Sequence, residues 1–244
     1  SQIAFLGELV AALFLAARNP RVVRWKDAFL IAETAGVNAF PIVALISFLI
    51  GLIMAFQAAI PMSQFGAEIF VADLIALSTL RELGPLMTAI VMAGRTSSAF
   101  AAELGTMKVN EEMDALTTMG LDPVRFLVVT RVIATLFMMP LLTIFSNLLG
   151  IMGGSVVLLS MGYPLSAYVD RIILSADYVD LLGGLLKSLA FGLIVAGIGC
   201  SHGLRTRTGA SAVGDSTTKA VVSGIIMIIV TDGIFSVIYF YLGI

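Results

Sequence analysis

Long apolar runs dominate this sequence and restrict the folds open to it. Runs close to or above the roughly 20 residues that a helix needs to cross a bilayer occur repeatedly. We predict spans at Phe40–Ala59, Ile69–Ala93, within Val132–Leu159, at Leu185–Cys200 and at Ala220–Leu242. No ten-residue segments alternate between apolar and polar residues, which favours helices over a barrel of strands.

The composition supports the same fold class. The 244 residues are 59% hydrophobic and 12% charged, whereas a soluble domain carries about 25% charged residues. The net charge of -2 includes no basic concentration suited to nucleic acid, so we expect no nucleic-acid partner. The sequence predicts an all-α integral membrane protein with five transmembrane helices, as one domain over residues 1–244.

The basic residues orient these spans. All but three of the 14 Lys and Arg residues fall on or near one side of the predicted topology: Arg18, Arg21, Arg24, Lys26, Arg95, Lys108, Arg125, Arg131, Arg205, Arg207 and Lys219. This bias marks the cytoplasmic side. Arg171 and Lys187 lie opposite, where we predict that Lys187 snorkels to the outer interface. Residues 202–219 are predicted to form a cytoplasmic loop, with Asp215 or Ser216 capping the last helix.

The N-terminal segment differs from the spans. Apolar residues recur at helical spacing over residues 1–17, beside Glu8, and the run is short for a span. These features favour a helix lying in the membrane interface, although a spanning helix stays open. Asn19-Pro20 is predicted to end this helix, and Asn38 with Pro41 to begin the first span. Residues 1–38 are thus interfacial or juxtamembrane, and residues 39–244 form the membrane domain.

Motifs for catalysis are missing from the sequence. It contains no G-x-x-x-x-G-K-[ST], no H-E-x-x-H and no G-x-S-x-G. Its one cysteine, Cys200, and one histidine, His202, lie next to or within an apolar run, which disfavours a zinc site or a Cys-His nucleophile. We therefore expect a non-enzymatic chain that binds no cofactor of its own.

Two intramembrane charges stand out in the second span. Arg81 and Glu82 are adjacent, so on a helix they point about 100° apart and need not pair with each other. An ionisable group at membrane depth needs a polar partner. We expect that partner to be a lipid head group, another subunit or water; the alternative is a pair solvated at the outer interface.

A polar stretch over residues 103–123 separates two apolar blocks. Val109, Met113, Leu116 and Met119 or Gly120 follow the spacing of one helix face, which predicts a short amphipathic helix over Lys108–Met119. Gly120 suits its C-terminal end, and Asp122-Pro123 suits the start of the next helix. Such a helix either docks into a soluble partner or lies on the membrane. Its acidic residues disfavour anionic lipid and so favour the partner.

Several short motifs carry a resemblance to a known family. They are R-E-L-G-P at residues 81–85, A-G-R at 93–95, A-E-L-G-T-M-K at 102–108, E-x-x-D-A-L at 111–116, M-G-x-D-P at 119–123 and T-T-K-A-V-V at 217–222. Together they resemble the MlaE-type permeases, the membrane subunits of ABC transporters that work with MCE-domain proteins. The resemblance covers the chain beyond its N-terminal helix.

The resemblance implies a complete transport system. It implies a homodimer in the bacterial inner membrane, a cognate ABC ATPase that binds ATP and Mg, a periplasmic MCE-domain hexamer and an STAS-domain accessory protein. The cargo that the resemblance implies is a phospholipid, moved between the inner and outer membranes to maintain outer-membrane lipid asymmetry. A coupling helix at about residues 106–120 would sit in the ATPase. Its contact residues would be Glu103, Lys108, Glu111, Glu112, Asp114, Leu116, Met119, Gly120 and Asp122.

For the cargo we hypothesise an apolar pocket lined by the outer halves of the first two spans of both copies. Methionines suit acyl chains of variable length, and charged residues suit the head group. The candidate substrate-binding residues are Met54, Met62, Phe65, Arg81, Glu82 and Leu83.

Two other classes of function remain open from the sequence. A self-contained ion-coupled carrier or channel for a small or lipophilic solute would use Arg81, Glu82 and Asp73 as a relay and need no ATPase. A structural anchor for a periplasmic protein would need no amphipathic cytoplasmic helix. A neighbouring gene for a P-loop ATPase would favour the transporter over both.

Overall fold

A computed structural model describes residues 2–18, 23–207 and 209–243 of the chain. Every regular element in these ranges is a helix. They are α1 (Gln2–Arg18), α2 (Trp25–Ser63), α3 (Glu68–Val109), α4 (Glu112–Thr118), α5 (Val124–Ser160), α6 (Leu165–Ser175), α7 (Tyr178–Leu204) and α8 (Ala210–Leu242). Asn19, Pro20 and Arg21, which bear on the predicted end of the first helix and on the basic cluster, lie outside the described residues.

Five of these helices, α2, α3, α5, α7 and α8, are long and apolar enough to cross a membrane. This confirms the predicted all-α fold with five spans preceded by a short apolar helix. The spans contain 27 to 42 residues, more than the roughly 20 that cross the hydrocarbon core. Each helix therefore extends past the apolar stretch that reveals it in the sequence.

The predicted start of the first span is wrong. Asn38 and Pro41 lie inside α2, which runs unbroken from Trp25 to Ser63. Proline in a helix removes one backbone hydrogen bond and strains the preceding turn. A complete break in an apolar stretch would leave several backbone groups unpaired in lipid, which costs more. The helix therefore continues through Pro41.

The predicted cytoplasmic loop at residues 202–219 is also mostly helical. The helix α7 continues to Leu204 and α8 begins at Ala210. Asp215 and Ser216 therefore lie inside α8 and do not cap it. Asp215 Oδ2 forms an ion pair with Lys219 Nζ, one helical turn later, at 2.5 Å. Ser216 Oγ lies 2.9 Å from Thr206 Oγ1.

The helix α3 departs from regular α geometry directly before Gly84-Pro85. A wide π-helical turn covers Thr79–Leu83, directly before Gly84 and Pro85. Its wider ring lets the Gly84 N–H donate to the Thr79 carbonyl, five residues earlier. A second such turn covers Ala93–Ser97, and a third, Val124–Val128, opens α5.

The chain divides into two compact units, and each long helix contributes a stretch to both. The first unit comprises Ser1–Ala39, Ala89–Met138 and Ala190–Val230. Its core includes Phe5, Leu9, Phe100, Leu104, Met113, Val132 and Cys200. The buried face of α1 belongs to this core, so α1 packs on its own chain while Val10 and Phe14 stay exposed.

The second unit comprises Phe40–Thr88, Met139–Leu189 and Thr231–Ile244. Here α2 and α5 approach closely, because a Cβ atom on Gly51 would meet the backbone of Gly150, and one on Gly153 would meet the carbonyl of Phe48. Small residues allow such close helix contact in membranes.

Candidate functional site

A fully buried ammonium group lies at the centre of the second unit. Lys187 on α7 has no exposed side-chain surface, and its Nζ lies 2.6 Å from Glu82 Oε1 on α3 and 3.1 Å from Asp232 Oδ1 on α8. The prediction that Lys187 snorkels to the interface is therefore wrong. Two carboxylates from other helices hold the ammonium inside the unit, where a charge needs paired partners.

A second ion pair and several neutral groups surround this centre. Arg81 pairs with Asp180, whose other oxygen accepts the Asp177 N–H at 2.9 Å. Ser236 donates to Glu82 Oε1 at 3.1 Å. The ring of Tyr239 lies 5.4 Å from Lys187 Nζ. We call Glu82, Lys187 and Asp232, with Arg81 and Asp180, the charged cluster.

The expected partners of Arg81 and Glu82 are thus found within the chain itself. Their side chains nevertheless remain 43% and 39% exposed, so the cluster is open on one side. The sequence reasoning did not assign Asp180, Lys187 and Asp232 to this site. The usable signal for Asp232 was its position as a single acidic residue within an apolar run of the last span.

Each of the other substrate-binding candidates has surroundings that differ from those of the charged cluster. Met62 packs against the apolar core of the second unit, Met54 is half-buried and Phe65 is 81% exposed. Leu83 lines a narrow cleft with Ser47, Thr79 and Ser146. The cleft holds about one water molecule and is too small for an acyl chain.

An ion pair fixes the helix between the third and fourth spans. Arg171 on α6 donates to both carboxylate oxygens of Asp73 on α3, at 2.7 to 3.0 Å, and stacks 4.3 Å above the Phe70 ring. Nearby, Tyr163 donates to Glu68 at 3.2 Å. Burial and the Glu68 carboxylate raise the pKa of Tyr163, so its hydroxyl stays protonated as the donor. Asp73 is therefore engaged in a structural pair.

The candidate coupling segment belongs to the first unit and differs from its predicted form. The helix α4 covers only Glu112–Thr118, not Lys108–Met119, because Lys108 belongs to the last turn of α3. The helical conformation is interrupted between α3 and α4 at Glu111, whose φ of 60° is left-handed. Lys108 Nζ then lies 3.2 Å from Asp114 Oδ1 across this break.

The predicted C-terminal end of this segment and the predicted start of the next helix are confirmed. Gly120 has a φ of 77° directly after α4, the conformation that glycine supplies at a helix end. Asp122 accepts the Val124 N–H at 2.9 Å, as an N-cap residue does, and Pro123 already has helical backbone angles directly before α5.

The apolar ridge of α4 faces its own chain and not an outside partner. Met113 is buried in the core of the first unit, and Leu116 packs against the same core. The exposed residues of this segment include the acidic Glu111, Glu112 and Asp114, with Ala115, Thr117, Thr118 and Met119, the last 66% exposed. A partner would therefore meet an acidic surface with a single methionine.

Glu103, a further coupling candidate, forms an ion pair on the first unit. Its carboxylate lies 2.9 Å from an Arg131 nitrogen, and Arg131 also donates to the Leu127 carbonyl at 3.1 Å. Arg131 is nearly buried, whereas the Glu103 side chain is 57% exposed. In the part of the chain that the structure describes, no group of three His, Cys, Asp or Glu residues is placed to hold a metal ion.

Comparison with known proteins covers most of the chain. The family model Permease MlaE matches residues 30–238. A probable ABC transporter permease protein of Rickettsia typhi is 37% identical over 198 residues, which are 81% of this chain and 76% of the relative. The chloroplastic protein TRIGALACTOSYLDIACYLGLYCEROL 1 of Arabidopsis thaliana is 36% identical over 222 residues, which are 89% of this chain and 63% of the relative.

A third relative is named for its cargo. The intermembrane phospholipid transport system permease protein MlaE of Haemophilus influenzae is 33% identical over 210 residues, which are 85% of this chain and 80% of the relative. The matched residues include the charged cluster, α4 and nearly all of the five spans. The chain therefore belongs to the MlaE permease family.

Proposed function

We propose that this chain is the membrane subunit of an ATP-driven transporter that moves phospholipids between the inner and outer membranes and so maintains outer-membrane lipid asymmetry. One observation carries the proposal beyond family membership. The helix α3 bears Glu82 of the charged cluster and ends at Val109, and Lys108 in its last turn pairs with Asp114 of the acidic α4. One continuous helical segment thus joins a membrane charge site to an exposed acidic surface.

The energy source is a separate ATPase. The sequence contains no P-loop, so ATP and Mg would be bound by a partner chain. The exposed residues Glu111, Glu112 and Asp114 offer that partner carboxylates, which pair with Arg or Lys. Met113 and Leu116 anchor α4 to the permease itself, so a push on α4 would be transmitted to the core of the first unit.

The cargo follows from the printed name of the Haemophilus influenzae relative and from the chemistry of the second unit. Arg81 and Glu82 offer partly exposed charges to a zwitterionic head group. Phe65 and the outer part of α2 offer apolar surface to acyl chains. The cleft beside Leu83 is too small for these chains, so the pocket would require a second copy of the permease.

The assembly would be completed on both sides of the bacterial inner membrane. We propose a homodimer, because few residues in the most apolar stretch of α8 are buried within one chain, and the exposed apolar surface needs cover from lipid or protein. A periplasmic MCE-domain hexamer would receive or deliver the lipid, and an STAS-domain protein would attend the ATPase.

A pull-down from native membranes tests this function. Mass spectrometry of the purified assembly should identify a P-loop ATPase, an MCE-domain protein and co-purified phospholipid. A matched pull-down with an unrelated five-span protein controls for bulk membrane lipid. Recovery of the permease alone, with transport of a solute that needs no nucleotide, would instead support the ion-coupled carrier.

A further inference from the structure

The charged cluster contains more carboxylates than cations. Lys187 Nζ binds both Glu82 Oε1 and Asp232 Oδ1, at 2.6 and 3.1 Å, and Lys187 has no exposed side-chain surface. Asp232 is also mostly buried, with 16% of its side chain exposed. Two acidic groups on different helices thus share one buried ammonium.

The neighbouring groups do not balance this excess. Arg81 forms an ion pair with Asp180, and the two residues together contribute no net charge. Ser236 and Tyr239 on α8 are neutral; their hydroxyls donate to Glu82 and to the Gly183 carbonyl. With every acidic group ionised, the cluster carries one uncompensated negative charge. Such a charge is costly inside a membrane protein, and binding a proton removes the cost.

We propose that Glu82 and Asp232 share one exchangeable proton, which makes the cluster around Lys187 a proton-binding site. The proton belongs to the pair, because both carboxylates contact the same ammonium. The Glu82 side chain is 39% exposed, which gives the proton a path from outside the unit. A protonated carboxyl keeps a carbonyl oxygen for Lys187 and leaves the cluster neutral.

This site links solution pH to three membrane helices. Glu82 lies on α3, Lys187 on α7 and Asp232 on α8. Loss of the proton restores the excess charge and draws water toward the cluster, which loosens the contacts that join these helices. The proton site would be present in the purified chain without cargo and without an ATPase.

Infrared spectroscopy of the full-length chain in detergent detects the proton directly. Ordinary Asp and Glu residues, with pKa values of about 4, are ionised between pH 6 and 9 and give no carboxylic-acid band. The wild-type chain should show one such band in this range, and the band should disappear as the pH is raised. Asp232→Asn and Glu82→Gln should each lose it, because each leaves one carboxylate for one ammonium.

Asp73→Asn is the matched control, since Asp73 forms a one-to-one pair with Arg171, and it should keep the band. Lys187→Met should roughly double the band, because two carboxylates then lack a cation. If either Asp232→Asn or Glu82→Gln does not fold, the other variant provides the same test. The absence of a band in the wild-type chain, or a band that survives in Asp232→Asn or Glu82→Gln, would overturn the proposal.

Discussion

Among single residues, Gly51 shows how closely α2 and α5 pack. A methyl group there would meet the Gly150 backbone, which has no flexible side chain to move aside. We expect Gly51→Ala to destabilise the protein by about 1–3 kcal/mol, as overpacking does. Thermal unfolding in detergent measures this. Gly233→Ala is the control, because open space surrounds Gly233 and alanine favours the helix by about 0.5–1 kcal/mol; equal loss in both variants would contradict the close contact.

Lys187 supports a second prediction at the residue scale. Replacing it with Met leaves Glu82 and Asp232 without their shared cation, so we expect a loss of roughly 3–5 kcal/mol at neutral pH. Lys219→Met is the matched control, because Lys219 and Asp215 form an exposed pair within one helix and such pairs contribute little. Chemical unfolding of both variants gives the comparison. Similar stabilities for the two would show that the buried pair contributes no more than the surface pair.

The burial of Lys187 also shows a limit of sequence reasoning. A lysine near the end of a span ordinarily snorkels, and its own flanking residues agree with that expectation. The partners that reverse it lie 105 and 45 residues away in the chain. Arg81 and Glu82 were recognised because they are charges within an apolar run, but Asp180, Lys187 and Asp232 could be joined to them only in three dimensions.

At the scale of elements, α4 carries the prediction for the ATPase. Glu111 and Asp114 are exposed, so Glu111→Lys with Asp114→Lys reverses the outward charge without opening the core. We expect the ATPase to be lost from the purified complex, since like charges then face its basic residues. Asp170→Lys on the exposed surface of α6 is the control. Full ATPase recovery with the double variant would contradict the assignment of α4 as the coupling helix.

The outer end of α2 carries the prediction for the lipid. A photoreactive amino acid at Phe65, which is 81% exposed, or at Met62 should form adducts with phospholipid. The same amino acid at Met92, which is fully buried, should react only with protein. Mass spectrometry of the adducts separates these outcomes. Adducts of Met62 and Phe65 with protein alone would remove both residues from the lipid pathway.

The helix α4 also shows what periodicity leaves undetermined. The spacing of Val109, Met113 and Leu116 predicted a one-sided helix, and Met113 and Leu116 do lie on a buried side. Periodicity states that one face is apolar but not what covers that face. The local signals at Gly120 and Asp122 correctly predicted the C-terminal end of the segment and the start of the next helix, because they depend only on neighbouring residues.

For the whole molecule, hydropathy predicts the number of spans because lipid requires each crossing segment to be continuously helical. It does not predict where each helix ends, since α2 and α7 continue through less apolar sequence. Gly51, Gly150 and Gly153 allow the close packing of α2 against α5 that the structure shows within one chain. The proposed contacts with a second copy would depend on a surface that one sequence does not mark.

Lipid transfer by the purified system tests the proposed function most directly. The permease would be reconstituted into liposomes with its co-purified ATPase and MCE-domain protein, and movement of a fluorescent phospholipid to an acceptor would be followed. Transfer should require ATP, fail with a non-hydrolysable analogue, and fall when Glu111→Lys with Asp114→Lys uncouples α4. Equal transfer without nucleotide, or an unchanged rate in that variant, would contradict an ATP-driven lipid permease.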